Sequence, residues 1–365
     1  MITAIEDVAE PLSAREPGAG VDDHFPLEPS HPCYMLMKLG EEAMAQRQYE
    51  RAYEMFAAAA RADAGSGRFT RKINRAMRAV VPRWHFRMMH DAERSRAYAQ
   101  AIEQVVGPGQ LVLDIGSGAG LLSMLAARAG ADQVVACEAV DMVAAGARDV
   151  VKANGYSDRI TVVSSPSTGL RVGSDLPRKA DVLVTEIFDC ALLGEFALPA
   201  LRHARQELLS PEAVVLPRSG TLFAQLVEST DLRSMNHIGE IEGFDFSSFT
   251  SLASLEYFST NLGNYQHRVL TPPVELFRFD FGADIQPEQQ IVEVVPQESG
   301  KAHAVVMWFE LDLAPGITLT NNPETSGLHW KQAVQTFREP RDCRSGEPLV
   351  LRATHDMESV LVSLR

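Results

Sequence analysis

Leu111-Val112-Leu113-Asp114-Ile115-Gly116-Ser117-Gly118-Ala119-Gly120 decides the fold. Its first half reads as a buried strand, its glycines as a tight turn, and Leu121-Leu122 onward as a helix. Glu138 closes the next apolar run, Gln133-Val134-Val135-Ala136-Cys137. Glycines let a backbone approach a ligand closely, and a carboxylate ending the second strand can accept both hydroxyls of a ribose. Together they point to a nucleoside-bearing cofactor and so to an enzyme. The glycines are spaced GxGxG, not as the dinucleotide GxGxxG. Asp114, two residues before the first glycine, tilts the reading from NAD towards S-adenosylmethionine. The alternative is an ordinary strand–turn–helix of an α/β domain.

Outward from this stretch, apolar runs and helical periods alternate. A helix is expected over 92–106, ending before Gly107-Pro108-Gly109, then a strand over 111–115 and a helix over 121–129. A strand over 134–138, a helix over 142–154 and strands over 160–164 and 182–186 follow. Such alternation means a parallel sheet with right-handed crossovers, whose ligands sit beyond the carboxyl ends of the strands. Gly116, Glu138 and Glu186 all fall at such ends. After Pro217 the runs at 221–227, 274–281, 290–295, 302–313 and 349–353 are β-rich with turn residues between, which predicts a second, mostly antiparallel domain. A mixed, partly helical excursion at about 229–265 interrupts it.

At the other end, 1–30 carries Pro, Gly and acidic residues without period and reads as a flexible tail. Over 34–63, Leu39-Gly40, Ala43, Tyr49, Ala52, Phe56 and Ala59 are spaced to pack two antiparallel helices. The pair resembles one tetratricopeptide unit, either a peptide-binding module or an N-terminal helical cap; one repeat cannot bury its face alone. The domains expected are therefore the tail, a helical extension over 31–80, a cofactor domain over 81–217 and a β domain over 218–365.

The bulk numbers narrow the function. A chain of 365 residues with 45% hydrophobic residues suits a soluble globular protein of two or three domains. Its net charge of −14 argues against general nucleic-acid binding, which needs clustered Lys and Arg, and suits a cationic substrate or partner. Cys33, Cys137, Cys190 and Cys343 lie far apart with no CxxC pair, so no metal site is expected. No basic and apolar leader opens the chain and no run spans a membrane, so a reducing cytoplasm is the expected setting.

Three constellations carry chemistry. Glu186 and Glu195 bracket the mostly apolar loop Ile187-Phe188-Asp189-Cys190-Ala191-Leu192-Leu193-Gly194. Two carboxylates there cost solvation unless paired, and a planar guanidinium offers a fork that both can grip. The alternative is one helix-capping and one solvated glutamate. Arg94, in the segment 84–94 before the first strand, can pair with the carboxylate of a cofactor's amino-acid part, or simply form a surface ion pair. His329-Trp330 has core packing as its plain alternative, and no sequence rule alone ties it to the other sites.

With these residues assembled, the chain from about Trp84 onward resembles the protein arginine N-methyltransferases, class I methyltransferases that use S-adenosylmethionine. The resemblance rests on Met88 to Arg94, Leu111 to Gly120, Glu138, the double-glutamate loop and Leu328-His329-Trp330-Lys331-Gln332. Glu186-Ile187-Phe188-Asp189 and Ala224-Gln225-Leu226-Val227-Glu228-Ser229 look most like members seven and nine. The helical repeat and Val81-Pro82-Arg83-Trp84-His85-Phe86 lean towards member nine. Animal forms of those two carry two methyltransferase modules; this sequence has one.

The resemblance implies a Rossmann-like domain, a β-barrel-like domain and a helical dimerisation arm at 229–265, hence a head-to-tail homodimer. It implies that Arg94 grips the cofactor carboxylate, that Gly116 and Gly118 admit the methionine portion and that Glu138 holds the ribose. Asp114 belongs to that cofactor set, with His85 near the cofactor and Met88 where a methionine helps shape the substrate pocket. Glu186 and Glu195 would hold the substrate guanidinium, with Asp91 and His329 paired to order the pocket wall and Asp189 and Trp330 lining the substrate side. The family's acidic adenine contact is replaced around Ser167-Thr168-Gly169, and its Thr-His-Trp appears as Leu328-His329-Trp330. The implied reaction is methylation of arginine in proteins or peptides; Asp189, an extra acid three residues after Glu186, is expected to bias it to a narrow substrate set and to mono- or symmetric dimethylation. A methyltransferase of a small guanidine or peptide natural product, and a non-catalytic interaction protein, are the alternatives.

Overall fold

Gly40 and Phe56 meet where two helices cross, so closely that a Cβ on Gly40 would lie 2.4 Å from the Phe56 ring. The helices are α1 (Tyr34–Ala45) and α2 (Tyr49–Ala62), the hairpin expected from the small residues at their crossing. A computed structural model of the chain describes residues 27–64, 67–325 and 327–364. Most of the expected tail, 1–26, lies outside the described residues. The chain divides into two units, Met1–Arg83 and Trp84–Arg365. The first holds a third helix beyond the hairpin, α3 (Thr70–Val80), whose Ala76 joins Ala43, Ala52 and Phe56 in one buried cluster. That third helix supplies some of the cover a lone hairpin lacks.

The second unit begins with the short helix α4 (Trp84–Met89) and with α5 (Ala92–Val105), which Asp91 caps by accepting from the Arg94 N–H at 3.0 Å. Then come β1 (Leu111–Ile115), α6 (Leu121–Ala129), β2 (Gln133–Glu138), α7 (Asp141–Ala153), β3 (Ile160–Ser164) and β4 (Ala180–Thr185). Helix α8 (Ala197–His203) runs into a π-helical turn and then β5 (Leu209–Leu216). The five strands form a parallel sheet in the order β3-β2-β1-β4-β5. Their residues are near-continuously apolar because helices cover both faces. Leu111, Val112, Leu113, Val182, Leu183 and Val184 are all buried. The chain fills one side of β1 first and then returns to the other, so the order reverses between β1 and β4, where Ile115 pairs with Thr185. A crevice opens beyond the carboxyl ends at such a reversal. Glu186 stands one residue past the end of β4, not within the strand as expected.

The remainder is antiparallel. Strands β6 (Ser219–Glu228), β11 (Val274–Asp280), β13 (Gly300–Ala314), β14 (Ile317–Thr320) and β15 (Gln332–Cys343) build a seven-stranded sheet with β9 (Phe258–Thr260) and β10 (Arg268–Val269) at its edges. A three-stranded sheet of β12 (Glu288–Val294), β16 (Leu349–His355) and β17 (Val360–Leu364) completes the barrel-like domain. The Gln335 amide, which donates to Val362 O at 2.7 Å and accepts from Val362 N–H at 2.9 Å, ties the two sheets. Strand β5 of the parallel sheet and strands β10, β14, β15 and β17 here escaped the sequence reading. The excursion differs from the helical arm expected: it holds one five-residue helix, α9 (Thr230–Ser234), a small hairpin of β7 (Glu240–Ile241) and β8 (Phe244–Asp245), and 3₁₀ turns. Runs too short for an amphipathic period leave Ile241, Phe244, Phe249 and Leu252 exposed. No helix among the described residues is long and apolar enough to cross a membrane, and all four cysteines are free and buried.

Candidate active site

Helix α5 and the end of β4 place opposite charges face to face. Arg94, in the first turn of α5, gives its Nε to Glu186 Oε2 at 2.9 Å and its Nη2 to the same oxygen. Both side chains are 4% exposed. Arg94 Nη1 is buried with no partner among the described residues, and the Arg94 guanidinium lies 5.7 Å from the centre of the Tyr98 ring. Tyr98 Oη donates to Thr185 O, and Thr185 Oγ1 to Ile115 O, so one tyrosine fixes α5 to the ends of β4 and β1. Burial pushes the Glu186 carboxyl up to about 7, with Glu195 and Asp91 pushing the same way and Arg94 opposing. Burial and the nearby Asp189 likewise raise Glu195. Two acids raised by desolvation and by neighbouring carboxylates, Glu186 by Glu195 and Glu195 by Asp189, in a crevice at a sheet reversal, form a poised site for a cation. The resemblance assigns Arg94 to a cofactor carboxylate; here it neutralises Glu186, because a buried guanidinium needs a counter-charge, and only Nη1 is left over.

Asp91 faces the same crevice. Its Oδ2 accepts from the His329 N–H at 2.8 Å and lies 3.0 Å from His329 Nδ1. Burial opposes its charge, yet hydrogen bonds from Arg94 and His329 hold its carboxyl below the usual range. Burial pulls His329 below its ordinary value, outweighing Asp91. An ionised Asp91 beside a neutral imidazole sets the proton on Nδ1 and leaves Nε2 as an acceptor. Trp330 packs edge-on against Phe309 and donates its indole N–H to Phe188 O at 2.9 Å.

The glycine turn has two different requirements. Gly116 has φ of 73°, and a Cβ there would lie 2.2 Å from Ile187 Cγ2. Gly118 has φ of 52° and open space where a Cβ would project, which is the cradle a bound group needs. Glu138 accepts from the Gly118 and Val140 N–H groups at 3.0 and 2.9 Å, one on each oxygen, with lone pairs left for hydroxyls. Asp114 is fully buried and bonds Ser123 Oγ of α6 at 2.5 Å; burial raises its carboxyl to about 6. Its Oδ1 has no partner among the described residues. Ser167 is buried at the start of a 3₁₀ turn after β3. His85 and Met88 sit half-buried on α4, His85 stacked on Trp84 at 3.8 Å. Among the described residues, His85, Met88 and Ser167 make no side-chain hydrogen bond to the Arg94–Glu186 cluster, and no group of His, Cys, Asp and Glu could hold a metal ion.

Asp189 is engaged within its own loop. Oδ1 accepts from the Ala191 and Gly194 N–H groups at 2.9 and 3.1 Å, and Oδ2 from Tyr257 Oη at 2.7 Å. Tyr98 and Tyr257, which complete these connections, and Asn321, whose Nδ2 donates to Cys190 O of the same loop at 3.1 Å, carried no signal in the sequence, since each acts through a contact far along the chain.

Comparison with known proteins fits this geometry. The model of the arginine methyltransferase oligomerization subdomain matches residues 218–360, and that of ribosomal protein L11 methyltransferase (PrmA) matches 96–210. Over 276 residues the chain is 42% identical to an arginine N(omega)-methyltransferase of Streptomyces achromogenes subsp. streptozoticus, covering 75% of this chain and 76% of that one. It is 35% identical to protein arginine N-methyltransferase 7 of Xenopus laevis, covering 76% of this chain but 45% of the relative, so it spans about half the length of relatives of that kind. Its fold is that of the Trypanosoma brucei PRMT1 enzyme–prozyme heterotetrameric complex with AdoHcy, with a TM-score of 0.67 at 24% identity over 77% of this chain and 92% of that one. Arabidopsis thaliana protein arginine methyltransferase 10 gives 0.61 at 23%, over 74% and 86%. The chain belongs to the protein arginine N-methyltransferase family.

Proposed function

We propose that this protein transfers a methyl group from S-adenosylmethionine to a guanidino nitrogen of arginine in proteins or peptides. The observation that carries the reading is the buried pairing of Arg94 with Glu186 through one carboxylate oxygen, which leaves one Arg94 nitrogen without a partner among the described residues and the other Glu186 oxygen outside the pair, in a carboxyl that Glu195 helps to raise. The residues fit the cofactor. Arg94 Nη1 can take its carboxylate, the open space at Gly118 its methionine portion and Glu138 its ribose. Asp114 shapes the turn from within through Ser123, and His85, Met88 and Ser167 complete the wall around the cofactor.

When bound, S-adenosylmethionine supplies an electrophilic methyl group on a cationic sulfur. The chain must therefore hold a second cation, the guanidinium, against it. Arginine is not deprotonated in water near neutral pH, and two positive groups ~3 Å apart repel strongly in a dry site. Glu186 and Glu195 offset that repulsion and fix which nitrogen faces the methyl group. The methylated nitrogen must lose a proton. His329, neutral and oriented by Asp91 through Nδ1, offers Nε2 as an acceptor, and the raised Glu186 is the other candidate. Trp330 holds the loop from the substrate side, and mono- or symmetric dimethylation is the product class favoured.

A second reading is methylation of arginine as a free amino acid or small guanidine. It is favoured by the relative whose name is arginine N(omega)-methyltransferase, at 42% identity over 76% of that protein. One experiment tests both. Labelled methyl transfer is measured to Arg-rich peptides and cellular proteins, and separately to free arginine, followed by acid hydrolysis and separation of the methylarginines. Label in peptides supports the first reading and label in free arginine alone the second. Label in neither, with the cofactor bound, removes both.

The exposed apolar excursion gives this protein a partner by the same logic. Ile241, Phe244, Phe246, Phe249, Leu252 and Leu255 are all exposed on one short segment. A second copy of the chain covers them in a homodimer of cytoplasmic subunits.

A further inference from the structure

Phe188, Asp189 and Cys190, three consecutive residues of the loop between Glu186 and Glu195, are each held by one hydrogen bond from the barrel-like domain. Trp330 Nε1 donates to Phe188 O at 2.9 Å, Tyr257 Oη to Asp189 Oδ2 at 2.7 Å, and Asn321 Nδ2 to Cys190 O at 3.1 Å. The loop needs such holding. Leu192, Glu195 and Phe196 all have φ between 59° and 71°, a left-handed backbone that side chains disfavour. Strained conformations persist only where their surroundings over-determine them.

We infer that Tyr257 and Asn321 are positioning residues for methyl transfer: by gripping Asp189 and Cys190 from the barrel-like domain they hold the backbone that aims Glu186 and Glu195 at one guanidinium. The inference rests on the arginine-methylating reading above. It also changes the part given to Asp189, which becomes the internal brace of the loop and not a free acid for substrate. One carboxylate oxygen satisfies the N–H groups of Ala191 and Gly194, while the other takes the tyrosine. The brace is tight, since a Cβ on Gly194 would lie 2.5 Å from Asp189 Cγ.

Both holding residues are themselves fixed by one sheet edge. Tyr257 directly precedes β9, whose Phe258, Ser259 and Thr260 pair with Val334, Ala333 and Gln332 of β15. That strand begins two residues after His329-Trp330. Asn321 is buried with each of its side-chain groups used. Oδ1 accepts from Phe309 N–H at 2.6 Å, and Nδ2 also donates to Lys331 O at 2.6 Å. Gln332 bridges the two, donating to Asn321 O and accepting from Leu262 N–H beyond β9. The loop bearing both glutamates is thus registered against the segment bearing His329. Burial and the neighbouring Asp189 push the Tyr257 hydroxyl well above its ordinary range, so it remains a donor.

The test uses the full chain with Tyr257→Phe and Asp189→Asn. Hydrogen exchange over 188–195 reads the brace directly, through the Ala191 and Gly194 amides. In Tyr257→Phe that segment exchanges about tenfold faster. kcat/KM for an Arg-rich peptide or free arginine falls about tenfold, mainly in KM, while S-adenosylhomocysteine affinity and the melting temperature stay near wild type. Asp189→Asn keeps an oxygen for the two N–H groups, and its Nδ2 donates to Tyr257 Oη in place of the bond that the hydroxyl gave, so it retains most of the protection. Tyr257→Phe with unchanged exchange, or with cofactor affinity lost in step with kcat/KM, overturns the inference. If the wild type methylates neither peptide nor free arginine, the functional reading fails, and exchange alone still decides the brace: faster exchange supports it and unchanged exchange overturns it.

Discussion

Arg94 and Glu186, 92 residues apart in the chain, neutralise each other inside the crevice between β1 and β4. A pair this buried adds little net stability, because the cost of removing both charges from water nearly equals their attraction. Its consequence is functional. In the proposed reaction it keeps a glutamate carboxylate ready for a guanidinium and an arginine nitrogen ready for a carboxylate.

Replacing either acid while keeping its shape isolates charge from packing. Glu186→Gln and Glu195→Gln are each expected to reduce kcat by about 100-fold or more, the scale for losing a preorganised charge in a dry site. Cofactor affinity, measured by calorimetry, should change little in Glu195→Gln. Wild-type turnover in both variants would remove the assignment.

The acid limb of the pH profile follows from the raised carboxyl. Glu186 must be ionised to hold a cation, and burial has moved its titration up to about 7. In the free enzyme kcat/KM should therefore rise through about pH 7. Glu186→Gln abolishes this limb along with activity, whereas Ser167→Ala should leave its position unchanged. A limb near pH 4.5 in the wild type would show that the site is wetter than its burial indicates.

The two glycines of the turn should fail differently. Gly118→Ala meets open space, so the fold loses only about 1 kcal/mol for a left-handed backbone with a side chain, yet the Cβ enters the cofactor's cradle. Gly116→Ala adds a collision with Ile187 to the same backbone strain. Thermal melts should show the larger loss for Gly116→Ala, and Ile187→Ala should restore part of it. Equal losses that ignore Ile187 would count against this account.

His355 provides a stability test outside the site. Its ring is buried edge-to-face with Phe277 and Phe279, and neither nitrogen has a partner among the described residues. Burial holds its pKa below the ordinary 6.5. The unfolded chain binds that proton first, so the native state keeps its full stability above pH 6.5 and loses it as pH falls through that value. The gap in melting temperature between pH 7.5 and pH 5 should narrow in His355→Leu. An unchanged gap would assign acid lability instead to His303, a buried ring of β13 that accepts from the Ser229 N–H, or to His329, both also held below their ordinary values by burial.

Charge placed on the excursion tests the homodimer. Phe249→Asp with Leu252→Asp should give a folded monomer by light scattering, with methyl transfer reduced if the partner braces the site. A wild-type protein that is monomeric and fully active would contradict the dimer.

The sequence by itself determined the parts that depend on neighbours in the chain. The period of apolar residues set β1, α6, β2 and α7 within a residue, and Gly40 with Phe56 set the helical crossing. The double-glutamate spacing and the His-Trp pair marked the candidate reacting groups through resemblance. Strand β15 stayed hidden, because its apolar start runs into Arg338, Glu339, Pro340 and Arg341, which match no alternating pattern. Tertiary structure alone decided which charges meet. That Arg94 closes on Glu186, that Asp91 reaches His329 across 238 residues, and that Tyr257 takes the second oxygen of Asp189 are outcomes of sheet order and register. A hydrogen bond or ion pair acts over a few ångströms in space, and no local pattern of residues records which distant segment the fold will bring within that reach.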